Sequence, residues 1–385
     1  MKLIEIKKKA FIDILFLATN LLLFYQYLTS STLVEYTVYG LSIVYLSLGL
    51  KFLLKKDNFI LYRIIFLGTI ITCIRALTYE TFGVIVFAKI LTNTIIGIVV
   101  FNNGLNKTCQ LIFMSIVYSY VGYSYFVVGT LPSEILSGYS HNHVSVILLY
   151  STILFYLSNS SSEIQQKKYS ILPASICLLL CVFSLGRSGM ISAAVLFILL
   201  FALKYQYPLF KGSILTKIWV FAFLVASTFG FLNIFNYFYQ SGYFIKFETR
   251  MFESERRSMV ITDYFKNLDG INFLIGNNSS FFQKEFDIGA HNSYLAWHNF
   301  YGIAAVLLLA YTLLVIIRFF RTDKYHLILL LPILIRSLTD TILFFQGIMF
   351  GLLFVILLVT SERQKSQKNI EDSGRKNCTL YLNSS

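Results

Sequence analysis

The sequence predicts an all-α polytopic membrane protein with about 12 transmembrane helices, and three observations lead there. Of 385 residues 56% are hydrophobic and 13% charged, with a mean hydropathy of +0.68, whereas soluble domains carry about 25% charged residues. Segments such as 193–203 and 348–359 are apolar on every face, which excludes the alternating pattern of a transmembrane β-barrel. A bilayer-crossing helix needs roughly 20 apolar residues, and the chain holds a dozen such stretches with a modest remainder for loops.

Taken in order, the expected spans are 10–28, 33–54, 59–78, 82–101, 108–130, 143–158, 169–185, 189–205, 214–235, 300–320, 327–344 and 345–360. The first follows Lys2, Lys7, Lys8 and Lys9. It is longer than the 7–15 residue core of a typical signal peptide and lacks a small-residue cleavage site, so it reads as helix 1 with the N-terminus in the cytoplasm. The last two spans form a hairpin with almost no loop at 344–347. Residues 361–385 are polar and rich in Ser, Asn, Lys and Gln, too poor in apolar surface to fold alone, and read as a disordered cytoplasmic tail.

The formal charge of +13 arises from 32 Lys+Arg against 19 Asp+Glu. In a membrane protein such an excess marks cytoplasmic loops. With this topology 22 of the 32 basic residues fall in cytoplasmic segments and six in one long outer loop, 236–290, between helices 9 and 10. No basic block or recognition-helix pattern supports nucleic-acid binding. The five cysteines (Cys73, Cys109, Cys177, Cys181, Cys378) are odd in number and mostly lie in apolar runs, so neither a disulfide framework nor a metal cluster is expected. Four prolines and no visible repeat weigh against the broken-helix, inverted-repeat design of many transporters. The organisation expected is one membrane domain, 1–360, whose outer loop includes an interfacial amphipathic helix at about 255–268, where Val260, Ile261, Tyr264, Phe265 and Leu268 fall at helical spacing.

Candidate chemistry gathers on the outer side. Arg250, Arg256 and Arg257 are interleaved with Glu248, Glu253 and Glu255. They read either as a solvated helix face with i,i+3 and i,i+4 pairs or as a clamp in which one or two guanidiniums take a diphosphate bidentately. Arg187, in Ser184-Leu-Gly-Arg-Ser-Gly189 at the outer junction of helices 7 and 8, is either functional or a snorkelling arginine, and its glycines permit close backbone approach. Arg336 and Asp340 are one turn apart and read as a self-contained ion pair. Arg75 and Lys89 lie in neighbouring spans and are placed to line one outer cavity. Of the five histidines, His141 and His143 are two apart and His291 and His298 seven apart. Neither pair has the i,i+4 spacing of a helical zinc site. His291, in Ala290-His-Asn-Ser-Tyr-Leu295, falls where the outer loop re-enters the membrane, and is either a packing or a catalytic histidine.

The twelve expected spans, the late outer loop with arginines, the Gly-Arg-Ser-Gly turn, and His-Asn-Ser-Tyr-Leu followed by Tyr301-Gly302 together resemble the bacterial O-antigen polymerase and O-antigen ligase superfamily. The likeness is confined to about 184–190 and 250–302, and His-Asn-x-Tyr-Leu is its most specific element. The resemblance implies a metal-independent glycosyltransferase, without cofactor, at the outer face of the inner membrane. Its donor would be an undecaprenyl-diphosphate-linked glycan, and its acceptor the next lipid-linked repeat unit (polymerase) or lipid A core (ligase). The family's diphosphate-binding arginines would correspond to Arg187 and one of Arg250, Arg256 or Arg257, and its histidine to His291, as base or as orienter of the acceptor. Tyr294 would be placed to stack on a sugar. Membrane lipids, a chain-length regulator and a flippase are the implied partners. The polymerase branch is favoured. A flippase for the same lipid-linked oligosaccharide is the competing class, and it would need cationic groups spread through a central cavity.

Overall fold

A computed structural model describes residues 2–54, 59–78, 83–132, 134–136, 142–184, 186–211, 252–277, 281–282, 292–343 and 348–363; for 2–5, 59–61, 75–78, 83–84, 86–87, 206–211 and 252–258 it describes the backbone alone. The described residues are mostly helical and contain no strand. The elements are α1 (Lys2–Thr29), α2 (Thr32–Leu53), α3 (Phe59–Thr78), α4 (Gly83–Asn103), α5 (Lys107–Tyr123), α6 (Asn142–Leu157), α7 (Ser161–Gln165), α8 (Leu172–Phe183), α9 (Arg187–Lys211), α10 (Phe252–Lys266), α11 (Gly270–Ile275), α12 (Ser293–Tyr301), α13 (Ile303–Thr322), α14 (Lys324–Thr339) and α15, residues 348–363. Among the described residues five segments are long and apolar enough to cross a membrane: Ile6–Thr29, Thr32–Leu53, Lys107–Val128, Arg187–Tyr205 and Ile303–Thr322. The protein is therefore a helical membrane protein. The expected ninth span, 214–235, lies outside the described residues.

Patterning explains which helices are central. In α6 every residue from His143 to Tyr156 is buried, and in α15 residues 348–362 are buried. Residues 348–359 are apolar on all sides, the mark of a helix with no solvent or lipid face, and α6 joins them although Ser145, Ser151 and Thr152 are among its buried residues. Around α6 pack α5, α8, α9 and α14, and α1 reaches it through Tyr150, whose hydroxyl donates to Asn20 Oδ1 at 2.6 Å. Small residues set the closest approaches. A Cβ on Gly49 of α2 would sit 2.0 Å from Val99 Cγ2 of α4, and one on Gly97 would sit 2.8 Å from Val355 Cγ1 of α15.

Local chemistry sets the helix ends. Asn106 caps α5 by accepting from Cys109 N at 3.2 Å, and α5 runs into a single π-helical turn, Ser124–Val128, that stops at Gly129 with φ 71°. Ser160 and Glu163 form a reciprocal capping box on α7. Three expectations need correction. The span expected from residue 300 is divided at Gly302, whose φ of 47° separates α12 from α13 and whose Cβ would meet Leu274 O at 2.2 Å. The helix expected to reach residue 344 ends at Thr339, because Asp340 turns to φ −154°, ψ 157° and is held there by side-chain bonds. The tail expected to be disordered from residue 361 instead continues α15 to residue 363, with Ser361 and Glu362 buried. Residues 364–385 lie outside the described set.

One end of the bundle collects the segments that the charge rule assigned to the cytoplasm. Asp13 of α1 accepts from Asn103 at 3.0 Å and Asn106 at 3.3 Å. Lys107 pairs with Glu163 at 2.5 Å, and this contact holds the Glu163 carboxyl below its ordinary pKa. Lys204 donates to Tyr169 O at 2.7 Å, Asn159 donates to Tyr325 at 2.9 Å, and Arg318 pairs with Glu362 at 2.8 Å. We call this the basic end. The other carries α10, α11 and α12 and is the cap end.

Candidate functional site

The cap end is wired through the backbone of Asn142, where α6 begins. Arg336, whose side chain is 0% exposed, donates from Nη2 to Asn142 O at 3.0 Å and to Asp340 Oδ2 at 3.1 Å. The expected ion pair is present but is not self-contained, since it also bridges α14 to α6. Asp340 then carries the link onward. Its carbonyl accepts from Ser293 Oγ at 2.7 Å, and Ser293 Oγ in turn accepts from Ile342 N at 3.0 Å and Leu343 N at 3.3 Å. Trp297 Nε1 donates to Leu343 O at 2.9 Å. Four backbone groups of the non-helical stretch after α14 thus find partners on α12, and Thr341 N donates to Asp340 Oδ1 at 3.0 Å.

On the other side of Asn142 lies the Gly-Arg-Ser-Gly turn. A Cβ on Gly186 would come 3.1 Å from Asn142 Oδ1, and one on Gly189 would come 2.1 Å from Ser145 Oγ and 2.3 Å from Ser145 Cβ. The two glycines therefore let the start of α9 lie directly on the start of α6. Arg187 is the first residue of α9 and its side chain is exposed. We expect Gly189→Ala to lower the thermal midpoint in detergent by the equivalent of about 1–3 kcal/mol of overpacking. Ser145→Gly in the same chain should recover much of the loss, and failure of that rescue would refute the steric account.

The His-Asn-Ser-Tyr-Leu element has visible work for four of its five residues. Asn292 caps α12, accepting from Tyr294 N at 2.9 Å and Leu295 N at 3.2 Å. Ser293 makes the bridge to Asp340. Tyr294 donates to Leu334 O at 3.2 Å, tying α12 to α14. Leu295 packs with Val260, Tyr264 and Phe282. His291 itself lies outside the described residues, as do His141 and Arg250; Arg256 and Arg257 lie on the backbone of α10, and Arg75 on that of α3, their side chains undescribed.

His143 is buried at the start of α6 with its ring 5.9 Å from that of Tyr27 on α1. Lys89 is bound to Glu35 of α2 at 2.8 Å; the outer cavity expected to join it to Arg75 turns on a side chain outside the described set. Glu35 also accepts from Gln26 at 3.2 Å and from the Tyr39 hydroxyl. Glu35 escaped the sequence reading, although a lone carboxylate in an apolar span is the available signal.

A second omission is His298. Its Nδ1 is 2.7 Å from Tyr264 OH of α10 and its Nε2 is 3.2 Å from Phe273 O of α11. A carbonyl only accepts, so Nε2 carries the proton and Nδ1 accepts from Tyr264. The ring fastens both cap helices to α12, and Tyr264 stacks on Phe282 at 5.3 Å. Burial pushes the His298 pKa down, and the Phe273 carbonyl opposes this. Above about pH 6.5 the ring is neutral whether folded or unfolded. As pH falls through that value the unfolded chain takes the proton first, so stability is lost on acidification. The protection factors of amides in Phe252–Lys266, which correct for the intrinsic exchange rate at each pH, should therefore fall below that pH in the wild type, and this fall should vanish in His298→Gln.

No family model, curated protein or solved structure matches this chain. What it does must be argued from its own residues.

Proposed function

We propose that the protein polymerises a surface polysaccharide of O-antigen or capsule type. It would transfer an undecaprenyl-diphosphate-linked glycan onto the next lipid-linked repeat unit at the outer face of the bacterial inner membrane, with both termini in the cytoplasm. The observation that supports this reading most is a convergence. The turn at 184–189 and the element at 292–295, more than a hundred residues apart, approach one end of the bundle through Gly186–Asn142, Arg336–Asp340 and Asp340–Ser293 contacts. Both lie within the two regions, 184–190 and 250–302, that carry the resemblance.

In this reading Arg187, with one of Arg250, Arg256 or Arg257, takes the charge that develops on the diphosphate leaving group, for which fixed guanidiniums suffice. His291 accepts or orients the proton of the attacking hydroxyl; a neutral imidazole is suited to this near neutral pH. Arg336 and Asp340 are positioning residues, since the guanidinium is bound to Asp340 and to Asn142 O. His143 and Lys89 likewise face protein partners. Deleting the gene is expected to leave surface glycan of a single repeat unit, seen as collapse of the gel ladder to its lowest rung. Loss of even that rung would point to a ligase, and lipid-linked units held on the cytoplasmic side would point to a flippase; either overturns the polymerase reading.

A further inference from the structure

The Tyr264 hydroxyl meets His298 Nδ1 at 2.7 Å, and one turn back on each helix Val260 and Leu295 share a buried cluster with Tyr264 and Phe282. The helices α10 and α12 thus meet at two successive turns taken in the same order. One turn further back, α10 carries Arg257 and Arg256, seven and eight residues before Tyr264, about 10 Å from the bond at the helical rise. The start of α12, at Asn292, lies about 9 Å before His298 by the same measure, and His291 precedes Asn292 in the sequence. The contact that joins the two helices therefore carries the arginine-bearing turn toward the start of α12. The hold is small. Among the described side chains of α10 only Val260 and Tyr264 are buried, while Met259 and Phe265 are each 60% exposed, and a segment with so few buried contacts opens at low cost.

The bond also requires a neutral ring. An imidazolium donates from both nitrogens, so on protonation Tyr264 loses its acceptor. Among the described residues no charged side chain bonds the ring to offset this. On α10, Asp263 and Lys266 pair at 3.8 Å. On α11, Asp269 accepts from Asn272 N, and the ring meets the Phe273 carbonyl. Arg336 of α14 is paired with Asp340. α12 has no charged residue, and α13 has none before Arg318, which pairs with Glu362. α3 has Arg63 near its start and Arg75, of which the backbone alone is described.

We propose that Tyr264 and His298 are positioning residues of the transfer site: their bond sets the Arg256–Arg257 turn of α10 against the start of α12 to take the donor diphosphate, and releases it when the imidazole is protonated. The proposal rests on the glycosyl-transfer reading and adds to it a loss of donor affinity in acid. A released ring with the ordinary pKa of about 6.5 is mostly protonated at pH 5.5. Relative to pH 7.5 this shifts the balance toward release by up to about tenfold.

The test uses the full-length protein in detergent, with undecaprenyl diphosphate, the part of the donor common to any sugar, as the ligand at pH 7.5 and 5.5. Wild-type affinity is expected to be severalfold lower at pH 5.5, in step with the protection factors of α10, while those of α6 stay unchanged. His298→Gln offers Tyr264 an acceptor that does not titrate, so its affinities at the two pH values should differ much less. The ligand's own titration is common to both proteins. Tyr264→Phe should bind severalfold more weakly at pH 7.5 and, in chain extension with lipid-linked repeat units, raise the donor KM more than it lowers kcat. If the wild type neither binds the diphosphate nor extends chains, the transfer reading falls and this proposal with it. If the wild type does both, but Tyr264→Phe matches it at pH 7.5 or His298→Gln keeps the wild-type pH dependence, the positioning role alone is overturned.

Discussion

Asp340→Ala is expected to cost about 3–5 kcal/mol, the usual consequence of stranding one member of a buried ion pair, and hence a large part of the 5–15 kcal/mol that holds a typical domain folded. The side chain of Arg336 is 0% exposed and that of Asp340 13%, so little solvent is at hand to replace the carboxylate. The Asp340 carbonyl is retained by the alanine and still accepts from Ser293, so the link to α12 stays while the charge and the Oδ1 acceptor of Thr341 N are lost. Thermal unfolding in detergent reads it directly. Arg336→Met combined with Asp340→Ala removes both charges and should regain most of the midpoint, since apolar replacement of a buried pair is often neutral. If the single variant unfolds at the wild-type temperature, the bridge between α6, α12 and α14 is not what holds the cap end together.

The second large effect is on catalysis. His291→Ala is expected to lower chain extension by roughly 10²- to 10⁴-fold if the imidazole is the general base. Arg187→Lys should impair extension although charge is kept, because an ammonium cannot make the two-pronged contact to a diphosphate. The exposed side chain of Arg187 at the start of α9 makes that variant unlike Gly189→Ala, which acts on packing. Both variants should insert and unfold as the wild type does. Purified protein with lipid-linked repeat units gives the measurement. Near-normal extension by His291→Ala removes the base assignment, and strong inhibition by a chelator removes the metal-independent mechanism.

Much of the fold was legible where hydropathy and burial agree. Of the two stretches apolar on every face, 348–359 is a buried central helix, whereas 193–203 lies in α9, whose span is 28% buried. The glycines at 186 and 189 were read as permitting close approach, and Asn142 and Ser145 are what they approach. The rest depends on partners distant in sequence. Nothing local to Lys89 announces Glu35, 54 positions earlier, as its partner. The end of α14 was missed because residues 342–345 are apolar in sequence; Ser293, on another helix, absorbs the freed amides of Ile342 and Leu343. Gly302 breaks the chain between two apolar stretches where Leu274 O crowds it, a contact that periodicity cannot anticipate. Of two histidines seven residues apart, the one with lesser motif value, His298, proved to fasten the cap.

The bond between Arg318 and Glu362 also bears on the order in which the chain is assembled. Arg318 and Tyr311 of α13 both hold the Glu362 carboxylate, at 2.8 Å each, and Arg318 also donates to Ser361 Oγ at 2.9 Å. Synthesis proceeds from the N-terminus, so α13 is complete some forty residues before its anion exists. Until then a guanidinium in the last turns of that helix has to be served by water or headgroups, and α15, which fills the middle of the bundle, has no register. Closure of the core is therefore a late event in the life of each molecule, set by arrival of the residues that follow the final apolar run.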